Sequence, residues 1–119
     1  MLVELLSAKR ILLGVTPKDK LALMSTIADA FAADDPALSA AAVLKVLEDR
    51  ERLASTGAGS GVAIPHGRLA KLKEMRAVLA IIPQGVDFDA IDGDPVTLAV
   101  AILGPLDQPS EHLKALARV

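Results

Sequence analysis

The sequence predicts a mixed α/β domain, a mixed β-sheet with helices on both faces, and three observations predict it. Two continuous apolar runs, Arg76 to Ile82 and Val96 to Leu103, are bounded by Pro and Gly and have the pattern of strands covered on both faces. Two earlier segments repeat apolar residues at helical spacing behind a capping residue. Hydrophobic residues make up 52% of the 119 and charged residues 24%, which is enough to build one core and too apolar for disorder. The length fits a single domain over residues 1–119.

Taken in order, Ile11 to Val15 reads as a strand or extended lead-in that stops at Thr16-Pro17. Thr16 can cap a helix, Pro17 suits its first position, and Asp19 places a carboxylate near the helix N-terminus. Leu21, Met24, Ala28 and Phe31 supply the apolar face, and the helix ends by Asp34-Asp35-Pro36. Ser39 caps a second helix with a stripe of Val43, Val46, Leu47 and Leu53, while Lys45, Glu48, Asp49 and Glu51 take other positions. Arg50 lies at the edge of that stripe. The segment Ser55 to Gly61, with Gly57, Gly59 and Gly61, reads as a loop of unusual backbone freedom. Val62-Ala63-Ile64 is a brief strand ended by Pro65, with His66 at its exit. Between the two long strands, Val86 to Ile91 alternates loosely and turns at Asp92-Gly93-Asp94-Pro95. Ser110 caps a last helix that the chain end cuts at Val119, so the domain is expected to lack its C-terminal part.

Composition narrows the function. The net charge is −2 with no strongly basic stretch, and two Phe with no Trp or Tyr leave no stacking platform, so nucleic acid is not an expected partner. The absence of Cys removes disulfides, thiolate metal sites and thiol nucleophiles. The start lacks a basic n-region, and the longest apolar runs fall short of the roughly 20 residues that span a bilayer. A cytoplasmic protein with no direct membrane insertion is the expectation.

Only His66 and His112 are histidines. A lone loop histidine is ordinarily a hydrogen-bonded surface residue, but the setting of His66 is more specific. Pro65 restricts it on one side, Gly67 gives room on the other, and a neutral imidazole with one N–H held keeps a lone pair for nucleophilic attack. Stabilising a phosphoryl dianion needs a cationic fork, backbone amides and hydroxyls. Arg50 can supply the first, Gly57, Gly59 and Gly61 an anion nest, and Ser55, Thr56 and Ser60 the last. Nucleotide motifs fail on context, because a helix precedes the glycines, a strand follows, and no Lys lies between Lys45 and Lys71. A metal on His66 and His112 would need a third ligand, and the run Asp87, Asp89, Asp92, Asp94 matches no calcium loop, so it reads as a solvated turn with no metal and no cofactor expected.

The string Asp49-Arg50-Glu51-Arg52-Leu53-Ala54-Ser55-Thr56-Gly57-Ala58-Gly59-Ser60-Gly61-Val62-Ala63-Ile64-Pro65-His66-Gly67-Arg68 closely resembles the type-2 IIA domains of the bacterial phosphoenolpyruvate-dependent phosphotransferase system (PTS), the fructose, mannitol and nitrogen-regulatory group. Gln84 to Val96 and Glu111-His112-Leu113 extend the resemblance, and Phe88 to Val96 looks most like the nitrogen-regulatory branch. Ala58 departs from the larger aliphatic residue usual there. The resemblance implies the mixed sheet of that fold. It implies that His66 accepts a phosphoryl group from an HPr-like phosphohistidine protein, that Arg50 helps to hold the group, and that His112 completes the site. It also implies regulatory protein partners of the sensor-kinase or potassium-transporter kind. Two alternatives stand beside it: a sugar-uptake IIA component that passes the group to a IIB domain, and a regulator that acts by binding alone.

Overall fold

The computed structural model describes residues 11–70 and 72–106. Among the described residues, six strands and two helices follow one another as β1 (Ile11–Leu12), α1 (Lys20–Asp34), α2 (Ala40–Leu53), β2 (Gly57–Gly59), β3 (Val62–Ala63), β4 (His66–Leu69), β5 (Arg76–Val86) and β6 (Val96–Pro105). The sheet order is β1-β5-β6-β3-β2, with β4 also paired to β6. The sheet is mixed: β5 runs antiparallel to β6, whereas β1 is parallel to β5, and β3 and β4 are parallel to β6. The predicted α/β class is confirmed.

The two long strands are apolar along most of their length, and apolar residues pack on both of their faces. Val78, Ala80, Ile82, Ala99, Ala101 and Leu103 form one buried core with Leu23, Ile27 and Phe31 of α1 and Val43 and Leu47 of α2. The opposite face gathers Val100 and Ile102 with Ile64, Met75, Leu79 and Leu98, and contains no residue of α1 or α2. Both described helices therefore share one face. The helix expected from Ser110 lies outside the described residues.

Several local expectations are corrected. The N-cap of α1 is Asp19, not Thr16: the Asp19 carboxylate accepts the Ala22 amide at 2.8 Å, and a charged acceptor also suits the positive helix end. Ser39 caps α2 as expected, accepting the Ala42 amide at 3.3 Å. Leu21 and Leu53 are exposed, because Leu21 lies about 200° around the helix from buried Leu23, and Leu53 about 120° off the line of Leu47. The glycine segment is not a free loop. Ser60 and Gly61, at φ 56° and 81°, make a two-residue turn between β2 and β3, the primed geometry that matches strand twist. The Thr97 and Leu98 amides then bind the Gly61 carbonyl and tie this hairpin to β6.

Candidate functional site

His66 does not hang from a strand exit; it opens β4, in register with Ile102 of β6. Gly67 next to it faces α2 so closely that a Cβ there would lie 2.0 Å from Cγ1 of Val46. That close approach brings the last turn of α2, with Arg50 and Glu51, beside the histidine.

The imidazole is fixed at both nitrogens. Nδ1 lies 2.7 Å from the Ile64 carbonyl, which only accepts, and Nε2 lies 3.1 Å from the Arg50 Nε–H, which only donates. The ring is therefore the neutral Nδ1–H tautomer with its lone pair on Nε2. Burial pushes the His66 pKa below the ordinary histidine value, and the Arg50 charge adds to the fall. The Ile64 hydrogen bond and the Glu51 charge act in the other direction. Arg50 holds a second acceptor, with Nη1 donating to the Ala54 carbonyl at 2.8 Å.

An open depression of about 290 Å³ beside the ring is lined by Arg50, Ser55, Thr56, Gly57, Ala58, Ile64 and His66. Its predicted polar groups have identifiable partners. Ser55 Oγ donates to the Phe88 carbonyl at 2.8 Å and accepts the Gly57 amide at 3.0 Å. Thr56 gives its hydroxyl and its amide to the Glu51 carboxylate. Gly59, at the end of β2, and the turn residues Ser60 and Gly61 belong to the hairpin rather than to this lining, and the Ser60 amide donates to Asp92 at 2.8 Å. That bond, with the Asp94 amide, holds the Asp92 carboxyl below the usual carboxylate range. Gly57 packs against Ala90, where a Cβ would meet backbone at 2.7 Å. The structure thus joins His66, Arg50, Ser55, Thr56 and Gly57 in one site, and His112 lies outside the described residues.

Sequence reasoning missed the support of this site. Glu51, only 5% exposed at its side chain, pairs with Lys20 at 2.8 Å, and Lys20 also lies 4.6 Å over the Phe88 ring. Glu51 read as one more polar position of α2. The available signal was a carboxylate in a last helical turn, where the dipole disfavours it.

Residues 4–119 match the model of the family described as phosphoenolpyruvate-dependent sugar phosphotransferase system, EIIA 2. A nitrogen regulatory protein of Bradyrhizobium diazoefficiens is 46% identical over 78 residues, 66% of this chain and 51% of that protein. One of Pseudomonas aeruginosa is 36% identical over 118 residues, 99% of this chain and 77% of its own length. Among solved structures, nitrogen regulatory protein IIA-Ntr from Neisseria meningitidis superposes with a TM-score of 0.90 at 37% identity, covering 97% of this chain and 78% of that one. The match thus spans about half the length of the first relative and about three quarters of the other two.

Proposed function

Because the chain belongs to the phosphoenolpyruvate-dependent sugar phosphotransferase system EIIA 2 family, we propose that it is a phosphocarrier of that system, accepting a phosphoryl group on His66 from an HPr-like phosphohistidine protein. Its phosphorylation state then governs binding to regulatory proteins of nitrogen, carbon or potassium metabolism. Relatives named nitrogen regulatory protein support this branch over sugar uptake. Residues 1–119 act as one cytoplasmic domain in this reading, and among the described residues no helix is long and apolar enough to cross a membrane.

The observation that carries the proposal is the fixed tautomer, which leaves Nε2 as the nucleophile. Its lone pair attacks phosphorus as the donor's P–N bond breaks and returns its electron pair to the donor nitrogen. One phosphoramidate replaces another. Positive charge developing on the His66 ring is stabilised at Nδ1–H by the Ile64 carbonyl. Arg50 must release the lone pair and turn its Nε–H to the incoming phosphoryl oxygens, with its Nη1 still on Ala54 as the pivot. His112 serves in the same reading as the second histidine of the site.

Intact mass at neutral to basic pH, after incubation with phosphoenolpyruvate, Enzyme I and an HPr-type carrier, tests the proposal. Wild type is expected to gain about 80 Da and His66→Ala nothing. No gain from a demonstrably phosphorylated carrier would overturn it. Onward transfer from His66 to a IIB domain would move the protein to the sugar-uptake branch.

A further inference from the structure

We infer that Glu51 is a positioning residue for the reaction: through Thr56 it fixes segment 54–56, whose Ala54 carbonyl braces Arg50 against Nε2 of His66. The inference rests on the phosphoryl-acceptor reading of His66. Arg50 and Glu51 are sequence neighbours in the last turn of α2 and diverge by about 100° around the helix. Arg50 reaches the histidine and the Ala54 carbonyl. Glu51 takes the Thr56 amide at 3.0 and 3.2 Å, together with the Thr56 hydroxyl. The three residues that follow the helix are therefore clamped from both sides.

Stability alone does not explain a carboxylate here. A buried ion pair is costly to desolvate and often no better than an apolar substitute, and the C-terminal end of a helix repels negative charge. Such a breach of local preference is expected where a site has to be held. The Lys20 ammonium at 2.8 Å neutralises the carboxylate from the start of α1 and fixes its orientation, so both helices contribute to the clamp. Its function follows from the pivot. During transfer Arg50 exchanges the Nε2 lone pair for phosphoryl oxygens while Nη1 stays on Ala54, and a wandering Ala54 carbonyl would deliver the guanidinium to the wrong place.

The test is a double-mutant cycle of Glu51→Gln and Arg50→Gln, read as the rate of His66 phosphorylation by phosphoramidate, a small donor that needs no protein docking. Glu51→Gln is expected to slow the reaction between about 10-fold and 100-fold, the scale of an ångström-level misplacement. In the Arg50→Gln background it should cost nothing further, because the brace then has nothing to hold. Thr56→Val, which removes the hydroxyl bond to Glu51 but keeps the Lys20–Glu51 pair and the backbone amide bond, should show a smaller loss that is likewise non-additive with Arg50→Gln, and serves if Glu51→Gln folds poorly. An unchanged rate in Glu51→Gln, or losses that multiply in the double variant, would overturn the inference. If wild type takes no phosphoryl group at all, the phosphocarrier reading fails, and the Arg50 Nε–H resonance decides the inference alone. It should shift and lose protection from exchange in Glu51→Gln, and an unchanged resonance would overturn the positioning role.

Discussion

At His66 the same burial that shapes the proposed nucleophile also sets its pH response. The folded pKa lies below the unfolded value of about 6.5 because desolvation disfavours the charged ring. Between those two values the unfolded chain binds the proton and the native state does not. The stability contribution is therefore complete above about pH 6.5 and is lost as pH falls through the folded pKa. Melting temperatures of wild type and His66→Gln from pH 8 to 5 should hold a constant difference at the alkaline end. Below pH 6.5 wild type should lose ground to the variant, and parallel curves throughout would contradict the assignment. That His66 and Arg50 meet was legible because Pro65 and Gly67 bracket the histidine and Arg50 lies at the edge of the apolar stripe of α2. The partners of the site hydroxyls were not. Ser55 and Thr56 read as ligands for a phosphoryl group, yet their hydroxyls donate to the Phe88 carbonyl and to Glu51; the first pairing depends on folding at long range, and the second on how the chain turns after α2.

Among the elements, α2 and β4 approach most tightly where Gly67 faces Val46. A methyl group on Gly67 would overlap Val46, and neither element can retreat easily, since β4 is paired to β6 and Val43 and Leu47 of α2 are fully buried. Gly67→Ala should destabilise the fold by about 1–3 kcal/mol, the range for overpacking. Val46→Ala in the same chain should recover most of that loss, although alone it destabilises. Urea denaturation of the two single variants and the double variant reads this as a favourable coupling, and simple additivity would show that the contact is not the cause. The approximate places of these elements were legible from periodicity and from Ser39 and Pro65. Their edges were not, because Thr16 and Asp19 are both competent caps and the geometry around Ala22 selects the latter. The hairpin at Ser60-Gly61 was hidden for a related reason: three glycines announce freedom, and only pairing with Val62 and Ala63 shows how it is used.

Across the described sheet, β6 is the strand with the most partners. It pairs with β5 on one side and with both β3 and β4 on the other, so the helix-packed face and the site share one backbone. Apolar continuity marked β5 and β6 as buried strands, but strand order is a matter of non-local pairing and leaves no periodic trace in the sequence. That order separates two core positions that composition alone would treat alike. Ile27 of α1 and Ile102 of β6 are both fully buried, and truncating either to Ala should cost about 2–5 kcal/mol. Ile27 packs in the helix-facing core, whereas Ile102 lies in register with His66 and belongs to the small cluster on the other face against which Ile64 packs. The Ile64 carbonyl is the group that holds Nδ1–H of the ring. A cavity at Ile102 therefore lets that carbonyl drift and loosens the tautomer, while one at Ile27 is confined to the helix-facing side. At a temperature where both variants are fully folded, Ile102→Ala should phosphorylate more slowly than wild type with phosphoramidate as donor, and Ile27→Ala should match wild type. Equal rates in the two variants would mean that the Ile64 carbonyl is held by its backbone pairing alone, with the Ile64 amide on the Thr56 carbonyl at 3.0 Å as the sufficient anchor.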